Sequence, residues 1–174
     1  MARSKVPSTM QEVNLSDPSG DDYEALSRDR IPVRSMTEAD LQNVIATDRK
    51  ITGRDRKAFY KRKMEEVLRE SGVRVSLVAE LEGSFAGFIM ARVDYGEFGR
   101  TEATAVIETM GVNPGFAGHD VGRALMSQLL SNLSSLKVEQ VTTTVEWDNF
   151  SLLAFLKRCG FYPSQRLSFS RRVC

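Results

Sequence analysis

Residues 111–130, GVNPGFAGHDVGRALMSQLL, place Gly118, His119, Asp120 and Gly122 where a strand ends and an amphipathic helix begins. A helix start exposes unpaired amides and the positive end of its dipole, and glycines just before it let an anion approach the backbone. The same pattern also describes an ordinary tight strand-to-helix connection, so the loop alone leaves both readings open. A second chemical feature is the basic run Arg49, Lys50, Arg54, Arg56, Lys57, Lys61, Arg62 and Lys63, opposed within it only by Asp55. It suits an acidic ligand or a nucleic acid, but the nearby Glu65, Glu66 and Glu70 favour a solvated helix face. One histidine and two cysteines, Cys159 and Cys174, offer neither a zinc arrangement nor a convincing nucleophile with its base. No metal is expected, and Cys159 reads as a buried, inert thiol.

Several elements must position that loop. Ile31 and Val33 alternate as a first strand, and Thr37 with Asp40 approximates a capping box for a helix carrying Leu41, Val44 and Ile45. Gly53 separates it from a second helix over about 56–71 with Phe59, Tyr60, Met64, Val67 and Leu68 at helical spacing. A hairpin follows: Val73, Val75, Leu77, Ala79 and Leu81, a turn at Gly83, then Phe88, Met90 and Val93. GEFGR at 96–100 reads as a mobile connection to a strand ending before Asn113. The helix from about Asp120 should turn Val121, Leu125, Leu129 and Leu133 inward and Arg123, Ser127 and Gln128 outward. KVEQVTTTVEW gives another strand, DNFSLLAFLKRCGF a helix capped by Asp148 or Asn149 and closed by Gly160, and RLSFSRRV a final strand. Trp147 is expected to pack under the final helix, with the lining of an acceptor pocket as the alternative, and Tyr162 in the core or at its edge. A hairpin combined with β-helix-β crossovers predicts an α/β (α+β) chain with a mixed, mostly antiparallel sheet flanked by helices.

Lys and Arg total 24 against 23 acids in 174 residues, so net charge gives no case for binding nucleic acid or a membrane surface. No apolar run is long enough to span a bilayer, and the first thirty residues lack a secretory core, so a cytoplasmic protein is expected. Rich in Ser, Asp, Pro and Gly, residues 1–30 read as a flexible N-terminal arm before one domain over 31–174. The arm could dock on its own domain or on a neighbouring subunit, which leaves a homodimer open.

Together, ETMGVNP, GFAGHDVG, RALMSQLL and DNFSLLAFLKRCGF resemble the GNAT family of acyl-CoA-dependent N-acetyltransferases over about residues 31–173. Val112, Pro114, Gly118 and Gly122 stand on the family's loop positions, and Asn149, Gly160 and Phe161 on those of its later helix. The resemblance implies the family's fold and acetyl transfer from acetyl-CoA to an amine on a small-molecule or protein acceptor. It implies that Met110, Gly111 and Val112 offer backbone groups to pantetheine. Ala117, Gly118, His119, Asp120, Val121, Gly122 and Arg123 would then surround the pyrophosphate, with Asn149 nearby. Glu108, on the strand leading to that site, becomes the candidate base, with Glu146 the competing carboxylate. Three positions depart from the pattern: Ala117 replaces the loop arginine, Asp120 a glycine, and Leu156 the tyrosine that protonates the departing thiolate in many members. Asp120 either caps its own helix or sits beside the phosphates as an unhelpful charge. A catalytically inactive ligand-sensing or interaction module on the same fold is therefore the alternative.

Overall fold

A computed structural model describes residues 30–70, 75–95 and 102–173. The expected arm, except Arg30, lies outside the described residues, as do Val73 and the 96–100 connection. Among the described residues, five strands, β1 (Val33–Ser35), β2 (Leu77–Leu81), β3 (Ser84–Asp94), β4 (Thr104–Val112) and β5 (Gln140–Thr143), lie side by side in chain order. The first three pairings are antiparallel and β4–β5 is parallel, giving the expected mixed sheet. Helices α1 (Leu41–Thr52), α2 (Lys57–Glu65), α3 (Val121–Ser135) and α4 (Phe150–Arg158) flank it.

Local chemistry accounts for the element boundaries. Asp40 accepts a hydrogen bond from the Thr37 N–H at 2.8 Å, closing the turn into α1, and Arg34 grips the same carboxylate at 2.8 and 2.9 Å. Gly53 ends α1 at φ 68°, and α2 continues into a π-helical turn over Glu66–Glu70. Glu82 and Gly83 both take positive φ, as a two-residue hairpin turn with the twist of its strands requires.

Two apolar clusters cover the two faces of the sheet. Leu77, Ile89, Ile107, Val121, Leu125, Leu129 and Leu133 form one beneath α3, joined by Phe155 and Leu156 of α4. Met36, Val44, Tyr60, Met64, Val78, Phe88 and Met90 form the other beneath α1 and α2. Gly111 of β4 faces the Phe88 ring of the second cluster: an added Cβ would stand 2.8 Å from that ring and 3.0 Å from Ile51. Gly111→Val should therefore cost about 1–3 kcal/mol by overpacking, read as a lower midpoint in urea unfolding with an unchanged slope.

Four expectations are corrected. RLSFSRRV forms no strand; residues 162–173 are exposed, because nothing in the described chain pairs with them. The strand expected through Trp147 ends at Thr143, where its ladder with β4 ends. Trp147 and Tyr162 are 80% and 84% exposed instead of packed, since the chain leaves the sheet on both sides of α4. Ser127 is buried although expected outward, because helix α3 is covered over more than its Leu stripe.

Candidate functional site

The site begins with a fault in β4. Met90 pairs with Thr109 and Ala91 with Ile107, so Glu108 is skipped and bulges. Side chains that should alternate do not. Ile107 and Met110 pack toward α3, while the two residues between them both meet α2. Glu108 contacts Lys63 of that helix, and Thr109 lies 3.3 Å from the Tyr60 hydroxyl. The parallel ladder to β5 closes with Ile107 opposite Thr143. From Thr109 to Val112, among the described residues, β4 is thus paired on its β3 side only, a run of about 10 Å of strand.

At the far end of this run stands the start of α3. Val112 lies 3.5 Å from where a Gly122 Cβ would be, so the last residue of β4 abuts the first turn of that helix. Gly118 and Asp120 take positive φ, 79° and 60°, with His119 between them outside that region. Such alternation turns successive amides toward one side, the geometry of a backbone cradle for an anion. Asp120 does not cap α3 with its side chain. Among the described residues no hydrogen bond is recorded from the amides of Gly118, Asp120, Val121 or Gly122, whereas Ala124 already donates to the Asp120 carbonyl. The capping alternative for Asp120 is thereby corrected. Its αL backbone, a conformation Asp tolerates, does not bring the carboxylate onto the amides of Val121 and Gly122. Ala117, Gly118, His119 and Asp120 are all exposed, and the His119 Nδ1 lies 3.2 Å from the Ala117 carbonyl. Arg123 is half-buried in the first turn.

The remaining expected residues divide. Met110 and Val112 are half-buried against the main cluster, and Gly111 is buried. Asn149 accepts from the Leu152 N–H at 3.3 Å, so its side-chain oxygen caps α4, which settles the choice between it and Asp148. Glu146 is exposed beyond the end of β5. Leu156 is buried in the core, and no tyrosine stands in its place.

Glu108 is half-buried and fully engaged. Arg92 Nε donates to Oε1 at 2.7 Å, and the Lys63 ammonium lies 3.2 Å from Oε2 while also pairing with Glu66 at 2.7 Å. Burial raises its proton affinity, but the two cations outweigh burial and hold its carboxyl below the usual range. Lys63 and Arg92 escaped the sequence reading because neither is near Glu108 in the chain; only the pairing of β3 with β4 and the packing of α2 bring them there.

A second group also escaped. Asp48, buried on α1, accepts from Arg56 Nε at 2.9 Å and from the Tyr60 hydroxyl at 2.9 Å, and Arg56 Nη2 reaches its other oxygen. Arg56 and Tyr60 are four residues apart, a spacing that puts both on one side of α2 and was legible, whereas their target was not. Burial raises the Asp48 carboxyl and the Arg56 and Tyr60 hydrogen bonds more than reverse it; burial also pushes the Tyr60 hydroxyl up to about 12. Asp40 is lowered in the same manner, burial being outweighed by Arg34 and Thr37. These carboxylates therefore stabilise the fold above their unfolded values of about 4, and that stability is lost as pH falls through their folded values. Thermal melts should show a midpoint nearly flat from pH 7 to about pH 5 and falling steeply below about pH 4.

The described residues contain no helix long and apolar enough to cross a membrane. Residues 41–161 match the model of the acetyltransferase (GNAT) family. Among solved structures, the fold is similar to the aminoglycoside N-acetyltransferase AAC(6')-Iy bound to the bisubstrate analogue CoA-S-monomethyl-acetylneamine. That match has 17% identity and a TM-score of 0.68, covering 83% of this chain and 99% of that one. Aminoglycoside 6'-N-acetyltransferase AAC(6')-Ih from Acinetobacter baumannii matches at 15% identity and TM-score 0.67, with coverage of 83% and 99%. Glucosamine-6-phosphate N-acetyltransferase from Arabidopsis thaliana matches at 19% and 0.61, again over 83% and 99%. At these identities the likeness is one of fold.

Proposed function

The chain belongs to the acetyltransferase (GNAT) family, and from that premise we propose that it transfers an acetyl group from acetyl-CoA to a primary amine of a small-molecule or protein acceptor. The observation that carries this reading is the continuous path from the Glu108 bulge, along the one-sided stretch of β4, to the uncapped first turn of α3.

Acetyl-CoA, when bound, supplies a thioester already activated toward amines. The amides of Gly118, Asp120, Val121 and Gly122, with His119 and Arg123 beside them, would hold its pyrophosphate, and the backbone of Met110, Gly111 and Val112 its pantetheine arm. Backbone donors survive the loss of the loop arginine at Ala117, which is why the cradle fits the group despite that change. Asp120 works against it electrostatically. Glu108, ionised by its two cations, receives the amine's proton at a carboxylate oxygen, directly or through one water, and so leaves the nitrogen its lone pair for attack. Its lowered carboxyl makes it a weak base, but one that remains deprotonated through neutral pH. With Leu156 in the core, solvent protonates the thiolate.

Asp120→Gly should tighten acetyl-CoA binding about five-fold, since one unit charge about 4 Å from another is worth about 1 kcal/mol in water. The same change relieves a positive-φ side chain and should raise stability by about 1 kcal/mol. Titration calorimetry and unfolding of the two proteins measure both. Activity itself is tested by following free thiol release from acetyl-CoA against a panel of aminoglycosides, amino sugars, polyamines and lysine peptides. An acceptor-dependent rate supports the transferase. Tight binding with no transfer to any amine favours the inactive ligand-sensing alternative, to which the absent tyrosine at Leu156 lends weight.

A further inference from the structure

The basic run over 49–63 divides in the folded chain. Arg56 is taken by Asp48, and Lys63 by Glu66 and Glu108. Arg49, Lys50, Arg54, Lys57, Lys61 and Arg62 are all exposed, and no ion pair among the described residues reaches any of them. They gather where α1 ends and α2 begins, around an open hollow of about 410 Å³ lined by Asp55, Lys57, Ala58 and Lys61. Asp55, the acid among them, accepts a hydrogen bond from the Lys57 N–H at 3.0 Å. Like charges crowded on one corner repel one another and attract a polyanion.

The chain carries such a polyanion. Between Lys5 and Arg28 it has Glu12, Asp17, Asp21, Asp22 and Glu24 and no base. We propose that the acidic stretch 17–24 docks on the basic corner of its own chain, formed by the last turn of α1, the connection 53–56 and the first turns of α2, and screens that corner from other anions.

The sheet register brings the two together. Val33 pairs with Ala79, Ala79 with Gly87 and Gly87 with Val112, so one row of residues crosses from β1 to β4. The start of β1 therefore lies at the same end of the sheet as the finish of β4, about 14 Å away over three strand spacings. The last turn of α1 is at that end too, because Ile51 lies against Gly111. The N-terminal stretch joins the described chain at Arg30, just before β1. From Arg30, the contour reaches about 20 Å to Glu24 and about 43 Å to Asp17. The path it must cover is about 25 Å, across those strands and up one packing layer to the helices. A tethered segment meets its own corner at an effective concentration in the millimolar range, far above that of a second copy in micromolar protein, so the same chain is the recipient. The docking rests on charge and tether and is independent of the acetyltransferase reading.

Zero-length carbodiimide coupling of the full chain tests this, because it joins a carboxylate to a lysine only where the two touch. In an equal mixture of isotope-labelled and unlabelled protein, links from 17–24 to Lys50, Lys57 or Lys61 should form within single chains. They should fall at least about five-fold in about 1 M salt, where screening acts within about 3 Å. Lys57→Glu/Lys61→Glu should weaken the docking, and adding Asp21→Lys/Asp22→Lys should restore coupling in the opposite sense, from corner carboxylates to N-terminal lysines. Asp17→Asn/Asp21→Asn/Asp22→Asn/Glu24→Gln should shift the amide NMR signals of residues 49–62 and leave those of α3 in place. Links formed chiefly between labelled and unlabelled chains would assign the corner to a second copy and overturn the proposal. So would links spread evenly over Lys5, Lys137 and Lys157, links indifferent to salt, or 49–62 signals that ignore neutralisation of the acidic stretch.

Discussion

Glu108→Gln should lower kcat/KM for acetyl transfer by about 10²- to 10⁴-fold, the range that positioned proton transfer contributes. The amide keeps the size and hydrogen-bonding reach of the carboxylate but cannot take up the amine's proton. Acetyl-CoA affinity should stay within about two-fold, since the phosphates are assigned to the other end of the β4 run. Stability should change little: the partner Arg92 is 44% exposed, so solvent takes over much of what its charge loses. The pH profile adds a second signature. Because Lys63 and Arg92 hold the Glu108 carboxyl down, the acid limb in the wild type should reflect protonation of the acceptor amine and not of Glu108. Replacing Lys63 by Met removes one of those cations and should move the carboxylate's own titration upward, toward the ordinary glutamate range. Equal kcat/KM for Glu108→Gln and wild type would remove Glu108 from the chemistry.

Arg56→Met should be among the most destabilising single changes outside the apolar core, costing about 3 kcal/mol. It leaves the Asp48 carboxylate, 5% exposed at its side chain, with only the Tyr60 hydroxyl as donor, and an uncompensated buried charge costs about 3–5 kcal/mol. The lower end applies because the Arg56 side chain is 39% exposed and water can follow it into the gap. For a chain of this size the midpoint should fall by about 6–12 °C at pH 7. The loss should begin to shrink as pH falls toward the ordinary carboxylate value of about 4 from above, because burial, no longer outweighed by Arg56, favours the neutral Asp48 in the variant. An Asp48→Asn/Arg56→Met double variant more stable than Arg56→Met alone would identify the stranded charge as the cause; equal stability of the two would exclude it.

The elements that sequence alone placed correctly are those whose signals are local. Gly53 and Gly83 fall at positive φ, Thr37 and Asp40 close the turn before α1, and the Val121, Leu125, Leu129 and Leu133 stripe is buried as its period requires. The phosphate-binding expectation also began locally, from glycines at a helix start, and the structure adds that Asp120 leaves the amides uncapped. What escaped was decided by distant partners. RLSFSRRV has the alternation of a strand, but alternation cannot say whether a sheet edge stands beside it to pair with. Asp48 at the end of a helix looks like a solvated acid until α2 folds Arg56 and Tyr60 over it. The bulge at Glu108 breaks the two-residue period without any glycine to announce it, so the pairing of Glu108 and Thr109 on one face was not legible.

The account rests on phosphates docking on the amides of Gly118, Asp120, Val121 and Gly122, and calorimetric titration with acetyl-CoA tests that docking most directly, using the wild type, Asp120→Gly and Gly118→Val. Gly118 holds φ 79° with open space around an added Cβ, so a β-branched residue there acts on the cradle through its backbone conformation. Binding in the micromolar range, about −8 kcal/mol, strengthened by Asp120→Gly and weakened at least ten-fold by Gly118→Val, is the expected result. No binding at about 1 mM acetyl-CoA by either the wild type or Asp120→Gly would contradict it.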